Sequence, residues 1–236
     1  MVPSGRIAKE GQKSLAELDH YRYVVAPKLF AGDEADDKMD LEVIKILVEW
    51  KLRHGTFRPT LMSLVSSNDP KAASDTVSGA IEAYRRRDNA SEALSTLTKL
   101  KGIGPATASL LLTVHDPSRA IFFSDEAFYW LCCGGKKAPV KYSAKEYLAL
   151  FTEARELARR IDVSVTDIEK VAYVVMKTKR SETALANGPS SSKSASSHTA
   201  KKKDPAKRKA ATTESTAEAS CSLQEVPPRR SKRSKA

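Results

Sequence analysis

Hydrophobic positions along this chain recur every three to four residues in several separate blocks, the period of one helix face. Leu41, Ile44, Val48 and Leu52, with Leu47 beside them, predict a helix over about 41–53 that Gly55 ends. Leu61–Ser66 predicts a shorter one. Asp69 as N-cap and Pro70 at the first helical position begin another, with Val77, Ala80, Ile81 and Tyr84 as its buried face. That helix closes on Arg85, Arg86 and Arg87, where positive charge suits the helix dipole. Ser143 and Glu146 have the spacing of a capping box ahead of the stripe Tyr147, Leu148, Phe151, Ala154, Ala158 and Ile161. Thr166 and Glu169 repeat that spacing ahead of Ile168, Val171, Ala172 and Val175, in a last helix ending near Arg180. Ser14 and Glu17 repeat it at the start, and Tyr21–Val25 either continues that helix or runs extended. Gly32 to Asp37 reads as an acidic turn. Apart from the short apolar run Ala120–Phe123, no stretch has the look of a strand. The pattern predicts an all-α domain of eight or so helices over residues 14–180, behind a disordered lead at 1–13.

The stretch from Leu97 to Leu131 departs from plain periodicity. Asn89 and Glu92 mark the start of one short helix, and Leu97 and Leu100 give it an apolar face. Gly102-Ile103-Gly104 then makes a turn tight enough to leave backbone N–H groups uncovered. Pro105 stands where a helix readily begins, and Ala108, Leu111 and Leu112 give that next helix its apolar face. Two short helices joined this way aim free N–H groups and a helix N-terminus outward, which suits an anion and above all a phosphate.

Gly-Ile-Gly-Pro-x-Thr-Ala flanked by leucines resembles the helix-hairpin-helix element of DNA-binding proteins, and more widely the helix-hairpin-helix DNA glycosylase superfamily. The resemblance covers about residues 60–180. It implies a multi-helix glycosylase-like domain that grips the DNA backbone through Lys99, Lys101, Gly102, Ile103, Gly104, Pro105 and Ala106. In that family an aspartate follows the hairpin at the start of a further helix, and Asp125 stands 19 positions beyond Ala106. The resemblance gives Asp125 the role of stabilising the positive charge that develops on the sugar as a base leaves. The residue type also allows a plain N-cap for the helix running to about Cys132. The segment around Ser67 and Asn68 is loosely similar to one bordering the family's base pocket. Bifunctional members carry a lysine nucleophile where this chain has Ala106, so Schiff-base strand cleavage is not expected. Cys132, Cys133 and Cys221 do not form the four-cysteine set of the iron–sulfur members.

Composition changes this picture mainly at the C-terminus. From Ser181 onward 12 Lys/Arg stand against 5 Asp/Glu, a net of +7, which leaves +4 of the formal +11 for the rest of the chain. The body is therefore only mildly basic. The segment 181–236 lacks aromatic residues and any apolar period, so it is expected to stay disordered. Its clusters Lys201–Lys203, Lys207–Lys209 and Arg229–Arg233 have the form of nuclear-import signals, which implies a nuclear location and an import receptor as partner. An odd cysteine count argues against a disulfide framework. No apolar run reaches membrane-spanning length, no cofactor is expected, and His54 has no companion at metal-ligand spacing. Trp50, Lys51, His54 and Arg58 gather at a helix end; the aromatic residues there, Trp50 and Phe57, are expected in the core. Two functions fit: a monofunctional N-glycosylase of base excision repair, or a non-enzymatic helix-hairpin-helix module binding DNA or a protein.

Overall fold

The computed structural model describes residues 12–32 and 38–186, and all regular structure among them is helical. The lead up to Gly11, most of the acidic turn and the basic clusters of the tail lie outside the described residues; Gln12 and Lys13, the end of the lead, accept hydrogen bonds from Arg53. The helices are α1 (Leu15–His20), α2 (Ala26–Phe30), α3 (Leu41–His54), α4 (Leu61–Ser66), α5 (Pro70–Arg87), α6 (Ala90–Leu97), α7 (Pro105–His115), α8 (Asp125–Cys132), α9 (Ala144–Ile161) and α10 (Val165–Ala186). The last helix thus runs past the expected end near Arg180.

The N-caps explain where most of these helices begin. Asp69 accepts from Ala72 N–H, and Asn89 accepts from Glu92 N–H. Ser14 with Glu17, and Ser143 with Glu146, form complete capping boxes. The Thr166–Glu169 box does not form. Ser164 caps α10 instead, accepting from Asp167 N–H at 3.1 Å while its hydroxyl donates to the Asp167 carboxylate. Thr166 donates to Pro117 O, and Glu169 turns into the core.

Helix α7 is the axis of the body. Every residue from Ala106 to His115 is buried, and the helix packs on α2, α3 and α6. A helix apolar on one face would leave half its surface wet, whereas Leu110, Leu111, Leu112 and Val114 cover all sides. Two of its buried hydroxyls, those of Ser109 and Thr113, have structural partners. Ser109 Oγ accepts from Phe123 N–H at 2.9 Å, and Thr113 Oγ accepts from Arg22 at 3.0 Å.

The run Ala120–Phe123 has no regular secondary structure and belongs to no sheet. Buried N–H groups need partners, and here side chains supply them: Ser109 for Phe123, and Glu169 for Phe122 at 3.2 Å. Glu169 also accepts from Tyr23 OH and, through both oxygens, from Arg22 at 2.9 and 3.0 Å. Arg22 is 1 % exposed and lies over the rings of Tyr23 and Trp50. The pair therefore ties the N-terminal helices, α7, the run Ala120–Phe123 and α10 together.

Tyr21–Val25 continues the first helix as a π-turn joining α1 to α2. The core positions here are Leu18, Arg22, Ala26 and Phe30, spaced by four. In an α-helix that spacing drifts by about 40° per step; the wider π-turn winds the stripe back toward the core.

The apolar stripes are narrower than the sequence suggests. Ile161 and Val171 are about half exposed, and so is Phe57, which leaves Trp50 as the core aromatic of its segment.

Candidate functional site

Residues 98–104 lead from α6 into α7 through successive tight turns. Gly102 has φ +76°, and a Cβ there would sit 2.9 Å from Val65 Cγ2 and 3.1 Å from Leu64 Cβ, so both conformation and space demand glycine. Asn68 holds the turn from below. Its Oδ1 accepts from Lys101 N–H at 2.9 Å while its Nδ2 donates to Lys101 O at 2.9 Å. Asn68 thus positions the turn, a role different from lining a base pocket.

Gly104 differs from Gly102. Its φ of −90° suits any residue, a Cβ there would meet nothing within 4 Å, and it begins α7 with no side-chain cap. The fold makes no demand for glycine at 104; what glycine leaves is open space over a helix N-terminus. Among the described residues the N–H groups of Gly102, Gly104 and Ala106 have no protein acceptor, while Ile103 N–H bonds to Leu100 O and the Ile103 side chain is buried. Pro105 has no N–H to offer. Lys99 and Lys101 are exposed beside the turn.

Gly102, Gly104, Pro105 and Ala106 line a cleft of about 600 Å3, and Asp125 lines the same cleft. Ser124, not Asp125, is the N-cap of α8; its Oγ accepts from Ala127 N–H at 3.1 Å. Asp125 is the first helical residue, and its carboxylate accepts from the hydroxyl of Tyr142. Tyr142 has φ +54°, a left-handed backbone that a bulky residue seldom adopts, and its ring packs against Phe123 at 5.1 Å. Burial, the Asp125 hydrogen bond and the Asp125 charge all push the Tyr142 phenol up, so it stays a proton donor.

The remaining lining comes from the end of α3 and the segment after it. Lys51, His54 and Arg58 reach the cleft, joined by Lys141 and by Lys177, which pairs with Glu126 at 2.7 Å. His54 is held between Trp50 and Tyr173, with ring centroids 4.5 and 4.4 Å away, and burial lowers its pKa. Burial first, and then the like charge of the Arg58 guanidinium, together lower the Lys51 ammonium to about 8. Lys51, Arg58, Lys141 and Lys177 outnumber the acids Asp125 and Glu126, so the cleft favours an anionic guest.

The structure therefore brings the turn and Asp125 together and adds a basic group that the sequence left without a place. Tyr142 carries no sequence signal, since nothing in Val140-Lys141-Tyr142-Ser143 announces a left-handed tyrosine. For Lys51 and Arg58 the signal is present, cations beside a helix-ending Gly55, but their neighbour across the fold is not. Among the described residues no group of three or more His, Cys, Asp or Glu is placed to hold a metal ion, and no helix is long and apolar enough to cross a membrane. Comparison of the chain with models of protein families, with curated proteins and with solved structures finds no match.

Proposed function

We propose that this chain binds DNA through a helix-hairpin-helix turn and removes a damaged base by hydrolysis, as a monofunctional glycosylase-like protein. The observation that carries the reading is the shared cleft. Three uncovered N–H groups in the turn and at the start of α7 and a carboxylate not engaged in capping its own helix line one concave, positively charged surface. The N–H groups of Gly102, Gly104 and Ala106 hold a backbone phosphate, with Lys99 and Lys101 adding charge from outside. A nucleotide turned out of the duplex enters the cleft. The Asp125 carboxylate then stabilises the cationic sugar as the base departs, and a water completes the hydrolysis. Ala106 offers no amine, so the turn itself forms no covalent adduct. The basic clusters of the tail support import into the nucleus, where this substrate resides.

The test is a panel of duplex oligonucleotides bearing alkylated, deaminated or oxidised bases, followed by hot alkali to cut at abasic sites. At least one lesion should give an alkali-dependent product with wild-type protein and none with Asp125→Asn. If no lesion reacts while DNA is still bound, the chain is a binding module without chemistry.

A further inference from the structure

We propose that the cleft takes an uncharged base and stabilises it as it departs as an anion, with the Lys51 ammonium and its neighbour Arg58 facing the base. The substrate class is then a deaminated or oxidised base, such as a uracil, and not an alkylated base that is already a cation. This rests on the base-excision reading above and deepens it, since that reading leaves the class of base open.

Hydrolysis of a base–sugar bond separates charge. The C1′–N bond breaks with both electrons staying on the base nitrogen, so the sugar turns cationic while the base gains negative charge. Water adds to C1′, and the proton it sheds ends on the base. A neutral base therefore departs as an anion and is helped by positive charge placed beside it. A base alkylated at a ring nitrogen is a cation beforehand and departs neutral. Ammonium and guanidinium groups then oppose its entry and do little for its departure.

The charges lining the cleft fit the first case. Both of its acids are engaged: Asp125 accepts from Tyr142, and Glu126 pairs with Lys177. Lys51, Arg58 and Lys141 line the same space, and no described carboxylate pairs with any of them. Lys51 is the one of these three that is partly withdrawn from water. A backbone phosphate is within reach of exposed cations such as Lys99 and Lys101, whereas a half-buried ammonium faces what enters the cleft. Desolvation and the like charge of Arg58 lower Lys51 to about 8, so it remains mostly protonated at neutral pH. Two neighbouring cations without a counter-ion repel one another in the empty cleft. Negative charge developing beside them turns that repulsion into attraction, so the gain comes in the departing state and not in the bound substrate. Trp50 on one side, wholly buried and bonded to Asp19, and Leu52 on the other, also buried, fix the backbone that carries Lys51.

The experiment follows single turnovers of full-length protein on duplexes carrying 5-fluorouracil, uracil or thymine opposite guanine, in falling order of ring N–H acidity. A further duplex carries 7-methylguanine, which is cationic in DNA. We expect release of the uracil series, fastest for the most acidic base, and no acceleration for 7-methylguanine. Lys51→Gln should slow the series on the order of a hundredfold, most of all for the least acidic base, and Lys51→Arg should recover most of the rate. Release of 7-methylguanine ahead of uracil overturns the proposal and leaves the base-excision reading standing. So does a loss in Lys51→Gln that is the same for every base, which is what a phosphate contact would give. A second arm needs no base release. Calorimetry on full-length protein without DNA compares 5-nitrouracil, ionised at neutral pH, with uncharged uracil and with benzoate, an anion that lacks a base edge. The nitrouracil anion should bind about tenfold tighter than either, and less tightly to Lys51→Gln. Binding no tighter than that of uracil or benzoate overturns the proposal whatever the DNA arm shows. Tight binding of the anion with no base released from any duplex would instead count against the base-excision reading alone.

Discussion

Two carboxylates attend the segment 120–124 that leads into α8, and they are opposites. Glu169 sits behind it, 4 % exposed, accepting from Arg22, Tyr23 and the Phe122 backbone until its oxygens are full. Asp125 sits at its end, partly exposed on an open cleft, accepting from Tyr142. A buried carboxylate must be satisfied from several sides or its charge is too costly to keep. A carboxylate with vacant lone pairs facing an open cleft is free to meet a ligand. The number of donors each one holds separates a residue of the fold from a residue of the site.

The largest effect expected from this contrast is on stability. Glu169→Gln leaves Arg22 buried without its counter-charge and should cost about 3–5 kcal/mol, whereas Asp125→Asn should change stability by less than about 1 kcal/mol. Urea unfolding of the two variants reads the difference, and equal losses would erase the distinction. The two glycines give a parallel pair. Gly102→Ala forces a Cβ against Val65 in a left-handed conformation and should cost about 3 kcal/mol. Gly104→Val should stay within about 0.5 kcal/mol of wild type in unfolding, yet lose nearly all DNA binding in a fluorescence titration. If Gly104→Val folds and binds as wild type does, the turn is structural throughout.

Smaller effects sharpen the contrast. Tyr142→Phe removes a hydrogen bond to a charged acceptor, an interaction of about 1.5–3 kcal/mol. Base removal should slow on the order of tenfold while DNA affinity stays unchanged; a loss of affinity instead would make Tyr142 a DNA contact. Least of all, Lys101→Ala should weaken binding to every sequence alike and reduce the log–log salt slope by about one. An unchanged slope would move the phosphate away from the turn.

The grammar of glycine and proline made the turn legible because those residues act locally, and the start of α8 was legible to within one residue, Ser124 taking the cap that the sequence offered to Asp125. It failed where a side chain chose a distant partner. Thr166 and Glu169 have capping-box spacing, yet Glu169 answers to Arg22, 147 positions away in sequence, and Ser164 takes over the cap. Ala120–Phe123 has strand-like composition, but Ser109 and Glu169 satisfy its backbone in place of a neighbouring strand. Lys51 shows the same limit at the site. Its spacing marks it as an ordinary helix lysine, and its altered acidity comes only from what the fold places around it.

The π-turn at Tyr21–Val25 makes the length of this segment as constrained as its composition. A π-turn is an α-helix with one residue too many, so removing a half-exposed residue such as Val24 would restore regular winding. Smoothing a helix ordinarily stabilises it. Here it would rotate α1 by about 100° relative to α2, swinging Arg22 off Glu169 and taking Leu18 out of the core. Among related chains, substitutions in 21–25 should therefore be common at the outward positions, while a one-residue deletion should be as rare as loss of Arg22 itself.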